Sequence, residues 1–380
     1  MGRQSLNKPL NRAFIAIVKA GLWEQSVRLT DYMGNSESLN ISELTRLANE
    51  QSLTGIVAIG LEHVQDVRMA IEDMLPIMEA SLSIQAANTG MDVFISKLFE
   101  DLRNAGISAV LVKGQGIAQC YERPLWRACG DVDLLLIGDD YPKAQKLMGL
   151  KGIEAEKETI SNKHHGFKLE NYLVELHGTL HSVLSPKIDG ELDNEAERMF
   201  RNREFRFWKN GESFIPLPSV NHDVVFIFSH ILQHFHKEGI GLRQICDWCR
   251  LLWTYREEID TKYVEGRIKK MGLMSEWKAF AALAVDSLGM PSKAMPFYDN
   301  SKKWSRKASK ILDFIFFCGN FGQNIDSSYY HKHSYLVRKA ISFKLRVSNF
   351  LRRVGIFPLD SLAFFFYSLV GSFKAVARGK

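Results

Sequence analysis

The sequence predicts an α+β protein, a small mixed sheet core flanked by helical regions at its N- and C-terminal ends. Three observations carry this. Apolar residues recur at helical spacing through roughly the first hundred residues. Two short apolar runs bordered by glycine, ISAVLVKG and GDVDLLLI, then interrupt that period. Helical spacing returns from Asp223 onward.

ISELTRLANEQ (41–51) opens a helix, with Ser42 close to a Glu at its start. Residues 63–106 read as one or two long amphipathic helices, with Pro76 marking a break or kink. ISAVLVKG (107–114) is a strand ended by glycine, and GDVDLLLI (130–137) is a second strand. DYPKAQKLMGLKG (140–152) is a helix with a glycine stop, and FKLENYLVELHG (167–178) is a hairpin turning at Asn171. The sheet region closes near the turn-rich NGESFIPLPSVN (210–221), after which DVVFIFSHILQHFH (223–236) and LRQICDWCRLLWTYREE (242–258) are helices. Four regions follow: an N-terminal helical region (1–100), an α/β core (101–218), a C-terminal helical bundle (219–335) and a basic, aromatic-rich tail (336–380).

Composition narrows the function classes. The chain is 46% hydrophobic and 24% charged, ordinary for a folded soluble protein and ample for more than one core. Five scattered cysteines (Cys120, Cys129, Cys246, Cys249, Cys318) and no signal-peptide pattern point to reduced thiols in a cytoplasm. The net charge of +6 is concentrated: from Arg338 to Lys380 there are nine Lys or Arg against Asp360 alone. The rest is close to neutral, which argues against a long nucleic acid as partner. Within the tail, GIFPLDSLAFFFYSLVG (355–371) is shorter than the ~20 residues that span a bilayer. It suits either a helix lying on an anionic membrane surface or a terminal helix packed on the core. Burial of most of its apolar face is expected, with the arginines of 343–353 outside.

The chemistry centres on LVKGQGIAQCYERPLWRACGDVDLLLI (111–137). Strand residues two apart face one side, about 6.5–7 Å apart. Asp131 and Asp133 therefore aim together while Val132 serves the core. Such a pair is either hydrated and ion-paired at a strand entrance, or a ligand set for a hard divalent ion such as Mg²⁺ or Mn²⁺. Upstream, Lys113-Gly114-Gln115-Gly116 closes a strand and opens a helix, where backbone N–H groups and Lys113 could meet phosphates. Arg127 is placed for a triphosphate oxygen or for holding Asp131, and Gly130 leads into the strand. Glu175, in the apolar YLVELHG, offers a third acid for a second metal or for general-base work.

These residues resemble the signature of the uncharacterised nucleotidyltransferases, within the DNA polymerase β-like superfamily. Gly114 and Gly116 match the superfamily's glycine-led turn, Asp131 and Asp133 its paired acids, and Glu175 its third. Arg127-Ala-Cys-Gly130-Asp131-Val-Asp133 fits the family's Arg-x-x-Gly-Asp-x-Asp. The usual Gly-Ser is replaced by Lys113-Gly114-Gln115-Gly116, so phosphate binding must lean on backbone amides and on Lys113 or Arg127. The resemblance implies a nucleotidyltransferase-type sheet and a two-metal transfer of NMP from an NTP to an unknown hydroxyl or phosphate acceptor. It also implies an association with surface-polysaccharide biosynthesis. A toxin-like enzyme modifying tRNA or protein, and a non-catalytic nucleotide-binding scaffold, are the rival readings.

Other features rank lower. His177 shares a strand face with Glu175, making it an accessory candidate beside Arg243 and Asp247, which are four apart and could simply pair with each other. His164 and His165 also flank the hairpin. His230 and His234 have zinc spacing but lack the Glu of H-E-x-x-H, leaving a helix packed beside the site. Cys246 and Cys249 have redox spacing but stand in a helical stretch.

Overall fold

The computed structural model of the protein describes residues 8–33, 39–159, 163–237, 239–319 and 347–377. Five helices come first: α1 (Pro9–Trp23), α2 (Thr30–Met33), α3 (Ile41–Glu50), α4 (Thr54–Glu62) and α5 (Ile71–Asn104). The sheet region holds β1 (Val110–Val112), α6 (Gly114–Ala118), β2 (Asp131–Leu135), α7 (Asp140–Lys151), β3 (Ile153–Thr159), β4 (His164–Leu169) and β5 (Tyr172–His177). Then come α8 (Pro186–Asn202), the hairpin β6 (Phe205–Asn210) and β7 (Ser213–Pro218), and the helices α9 (Val220–Lys237), α10 (Leu242–Thr254), α11 (Thr261–Met271), α12 (Met274–Asp286) and α13 (Lys302–Cys318). A last helix, α14, spans Pro358–Ala377. The fold is α+β, as the sequence predicts.

The sheet runs β1-β2-β5-β4-β3, with β2 and β5 parallel and the other pairs antiparallel. Its two faces do different jobs. Leu111, Val132, Leu134, Val174 and Leu176 join Phe94, Leu98 and Leu102 of α5 in one core beneath the sheet. On the other face Val110, Val112 and Leu135 join a core that includes residues of α1, α4, α9, α10, α12 and α13. The site's carboxylates lie on this second face, against α9 and α10. Helix α1 meets α4 backbone to backbone, since a Cβ on Gly21 or Gly60 would collide with a main-chain oxygen of the other helix.

Several local expectations change. The helix cap at 41 is Asn40, whose Oδ1 accepts from Glu43 N at 3.0 Å, rather than Ser42. Helix α5 continues through Pro76. So near the start, Pro76 gives up the bond to the carbonyl of Glu72 and its ring crowds that carbonyl, without ending the helix. Strand β3, α8 and the β6–β7 hairpin were not foreseen. In the tail, Arg353 is buried and donates to Phe235 O at 3.4 Å, so it is not among the outer arginines. Ile356, Phe357 and Ser361 are buried too, while Leu359, Leu362, Phe365 and Phe366 stay exposed. Residues 336–346 and 378–380 of the tail lie outside the described residues.

Candidate active site

β1 ends in a strained turn. Lys113 (φ 59°) and Gly114 (φ 41°) both take positive φ, and α6 starts there. A Cβ on Gly114 would stand 3.2 Å from Cys129 Sγ and 3.5 Å from Asp131 O, so glycine lets this turn lie against the start of β2. The turn aims Lys113 Nζ at Asp133 Oδ1, 2.6 Å away.

β2 and β5 supply the acids. Their parallel register sets Asp133 opposite Glu175 and Leu135 opposite His177. Paired residues share a face, so Asp131, Asp133, Glu175 and His177 project from one side of the sheet. One carboxylate oxygen from each of Asp131, Asp133 and Glu175 lies within 4.8 Å of the other two. Asp133 is 2% exposed and also meets His177 Nε2 at 2.7 Å. Glu175 Oε2 faces His164 Nε2 at 3.0 Å and His177 Nε2 at 3.6 Å.

The electrostatics follow from this crowding. The Asp133 charge, with burial, pushes Asp131 up to about 6, against the pull of Lys113. Burial opposes the Glu175 charge, yet hydrogen bonds from His164 and His177 and the Lys113 ammonium hold it well below the carboxylate range. Burial likewise opposes protonation of Lys113 and His177, and the surrounding carboxylates overcome it, raising both. Clustered acids with compensating cations fit a divalent-metal site: the donors are hard oxygens and converge on one point of the cleft.

The cleft, about 440 Å³, is lined by Lys113, Gly114, Arg127, Asp131, Asp133, Glu175, His177, Arg243 and Asp247. Gln115, Gly116 and Gly130 do not line it. The Gln115 side chain turns away to α5, donating to Asp92 Oδ1 at 2.8 Å and Asn88 O at 3.3 Å. Gly116 packs against Leu217.

Arg127 does not hold Asp131. Its Nε and Nη2 bind Asp247 at 3.0 and 2.6 Å, and Nη1 binds Ala128 O. Tyr121 donates to the same carboxylate at 2.8 Å. This buried clamp joins the loop before β2 to α10 and replaces the expected Arg243–Asp247 pair. Arg243 instead gives Nη1 to Ala128 O at 2.8 Å, and its buried Nε has no hydrogen-bond partner among the described residues. Burial and the neighbouring Arg127 charge lower its pKa. Arg243 is the guanidinium that an anion in the cleft would best satisfy.

α9 forms the opposite wall. His230 and His234 line the cleft with their Nε2 atoms 3.1 Å apart. Burial and the Lys113 charge depress both, His234 to about 3, so the pair is neutral at ordinary pH. His164 enters through β4, where the register places it opposite His177. Cys246 and Cys249 are buried thiols whose pKa burial raises, which makes them core residues.

No curated protein and no solved structure matches the chain. Residues 37–289 match the family model described as uncharacterised nucleotidyltransferase, covering α3 through α12 and every candidate site residue. The chain therefore belongs to the uncharacterised nucleotidyltransferase family.

Proposed function

We propose that the protein moves a nucleoside monophosphate from an NTP to a hydroxyl or phosphate acceptor, with Asp131, Asp133 and Glu175 as its metal-holding carboxylates. The observation that carries this is the convergence of those three acids from two parallel strands beside the Lys113–Gly114 turn. When bound, Mg²⁺ or Mn²⁺ would neutralise phosphate charge and activate the acceptor oxygen.

The chain's own residues do the positioning. Lys113 and Arg243 offer cationic donors to the phosphates, and the Arg127–Asp247 clamp fixes the loop that carries Gly130 into β2. The acceptor oxygen bonds to the α-phosphorus as the bond from that phosphorus to its β-bridging oxygen breaks. Pyrophosphate leaves with the electron pair, and the acceptor proton passes to water. The imidazoles of His230 and His234, with Gln233 and Gln244, give the far wall hydrogen-bonding groups suited to a polyhydroxylated acceptor, the class used in surface-polysaccharide synthesis. The exposed apolar residues of α14, next to the basic tail, suit peripheral contact with an anionic membrane.

The test is incubation of the protein with Mg²⁺, cell extract and each α-labelled NTP in turn. Label should move from one NTP to an acceptor with release of pyrophosphate, and Asp133→Asn should abolish it. Label that moves equally well with Asp133→Asn would remove the reading.

A further inference from the structure

The Glu175 end of the cleft carries more nitrogen than a site for hard metal ions needs. One ring nitrogen each from His164 and His177 and a Glu175 oxygen lie within 4.8 Å of one another, a second convergent set that shares Glu175 with the acid trio. Nε2 of each histidine faces Glu175 Oε2, at 3.0 and 3.6 Å. It is built into the hairpin. The turn at Glu170 and Asn171 pairs His164 with His177 across β4 and β5, and their rings stand 4.9 Å apart at the cleft wall. His164 presents Nε2 to Glu175, while its Nδ1 stands at ion-pair distance, 3.9 Å, from Glu156 Oε2. The Glu156 contact is longer than the hydrogen bond by which metal-bound histidines are commonly held, so Glu156 acts on His164 only as a nearby charge.

We propose that His164, Glu175 and His177 form a distinct metal position that prefers a first-row transition ion such as Mn²⁺ or Zn²⁺ over Mg²⁺, beside the all-oxygen position of Asp131, Asp133 and Glu175. This rests on the nucleotidyltransferase reading and deepens it. Mg²⁺ seeks oxygen ligands and keeps much of its water, whereas two imidazoles and a carboxylate suit transition ions with open positions. The two positions differ in chemistry while sharing a carboxylate. A mixed metal pair is the expected working state, with Mg²⁺ on the acids and the softer ion on the histidine side. A transition ion at the histidine position must take Nε2 of His177 away from Asp133, and Lys113 remains to balance that carboxylate.

The experiment is pulsed EPR of Mn²⁺ bound to the full-length protein with a non-hydrolysable NTP analogue, using isotopically labelled histidine to identify protein nitrogen. The expected result is histidine-nitrogen coupling that survives excess Mg²⁺. It should persist in Asp131→Asn and disappear in His164→Gln and His177→Gln, with Mn²⁺ still bound to the oxygen position. Bound Mn²⁺ without nitrogen coupling in the unmutated protein overturns the proposal: the histidines then only hydrogen-bond the acids, and the two-metal reading stands. Absence of any Mn²⁺ binding with the analogue present overturns both.

Discussion

Asp131 and Asp133 are two residues apart on one strand, yet they carry different loads. Asp133 is matched by Lys113 and His177, whereas Asp131 sits beside it with its pKa pushed up to about 6, chiefly by the Asp133 charge. Replacing either acid should reduce transfer by roughly 10³-fold or more, the scale of losing one charge-stabilising element in phosphoryl transfer. Their stabilities should diverge. In metal-free protein, Asp131→Asn relieves repulsion and should raise the melting temperature, while Asp133→Asn strands a buried lysine and should lower it. Calorimetric melting of both variants checks the contrast, and parallel shifts would contradict it. Arg127 and Arg243 separate similarly. Arg127→Ala leaves Asp247 buried and unpaired and should cost about 3–5 kcal/mol of stability. Arg243→Ala should leave the melting temperature near wild type and raise KM for the NTP. The reverse pattern in thermal melts and kinetics would exchange their roles. The paired acids were legible because strand periodicity gives Asp131 and Asp133 one face. Glu175 stood out as an acid in an apolar strand and through the family resemblance, and the β2–β5 register brings it to their side. The Arg127–Asp247 clamp was not, since the partners are far apart in sequence and only the docking of α10 on the sheet joins them.

At the scale of elements, the hairpin was readable further than expected. A two-residue turn at 170 and 171 makes paired positions sum to a constant, which sets His164 opposite His177 and Gly166 opposite Glu175. Counting outward from the turn was the signal for His164. Strand β3 was hidden because IEAEKET puts glutamates on an exposed edge and has no apolar face, a composition that also protects an edge from pairing with other chains. The β6–β7 hairpin was hidden by Pro216 and Pro218, which read as turn residues. Helix α14 yields a pH prediction. Glu276 of α12, 1% exposed, is raised to about 9 by burial and by Asp360 of α14. The folded state therefore keeps a proton that the unfolded chain releases near pH 4.5. That contribution is full below the unfolded pKa and is lost as pH rises through about 9. Melting temperature should fall between those limits, and Glu276→Gln should flatten the slope. An unchanged slope would remove Glu276 as its cause. The same helix should bind anionic vesicles with about 1 kcal/mol per tail lysine or arginine, lost at high salt. Co-sedimentation that ignores salt, or survives removal of residues 338–380, would contradict electrostatic membrane contact through this tail.

Across the whole molecule, the two helical regions named from the sequence share a core, with Phe14 of α1 edge-on to Phe316 of α13 at 6.0 Å. Helical periodicity identifies buried faces but not their partners, so this closure of N-terminal on C-terminal helices could not be read beforehand. Its consequence is functional. The bundle presses α9 and α10 against the sheet and turns an open row of carboxylates into a walled cleft, adding Arg243, His230 and His234 to it. A sheet without that bundle would leave its acids in water, where metal and phosphate are held less tightly. The most direct measurement is isothermal calorimetry of Mg²⁺ with a non-hydrolysable NTP analogue, on wild type and on Asp131→Asn, Asp133→Asn and Glu175→Gln. Joint binding of ion and nucleotide to the wild type, lost in Asp131→Asn and Asp133→Asn and weakened in Glu175→Gln, is the expected result. Wild-type affinity in all three variants would contradict the assignment of this cleft as the metal–nucleotide site.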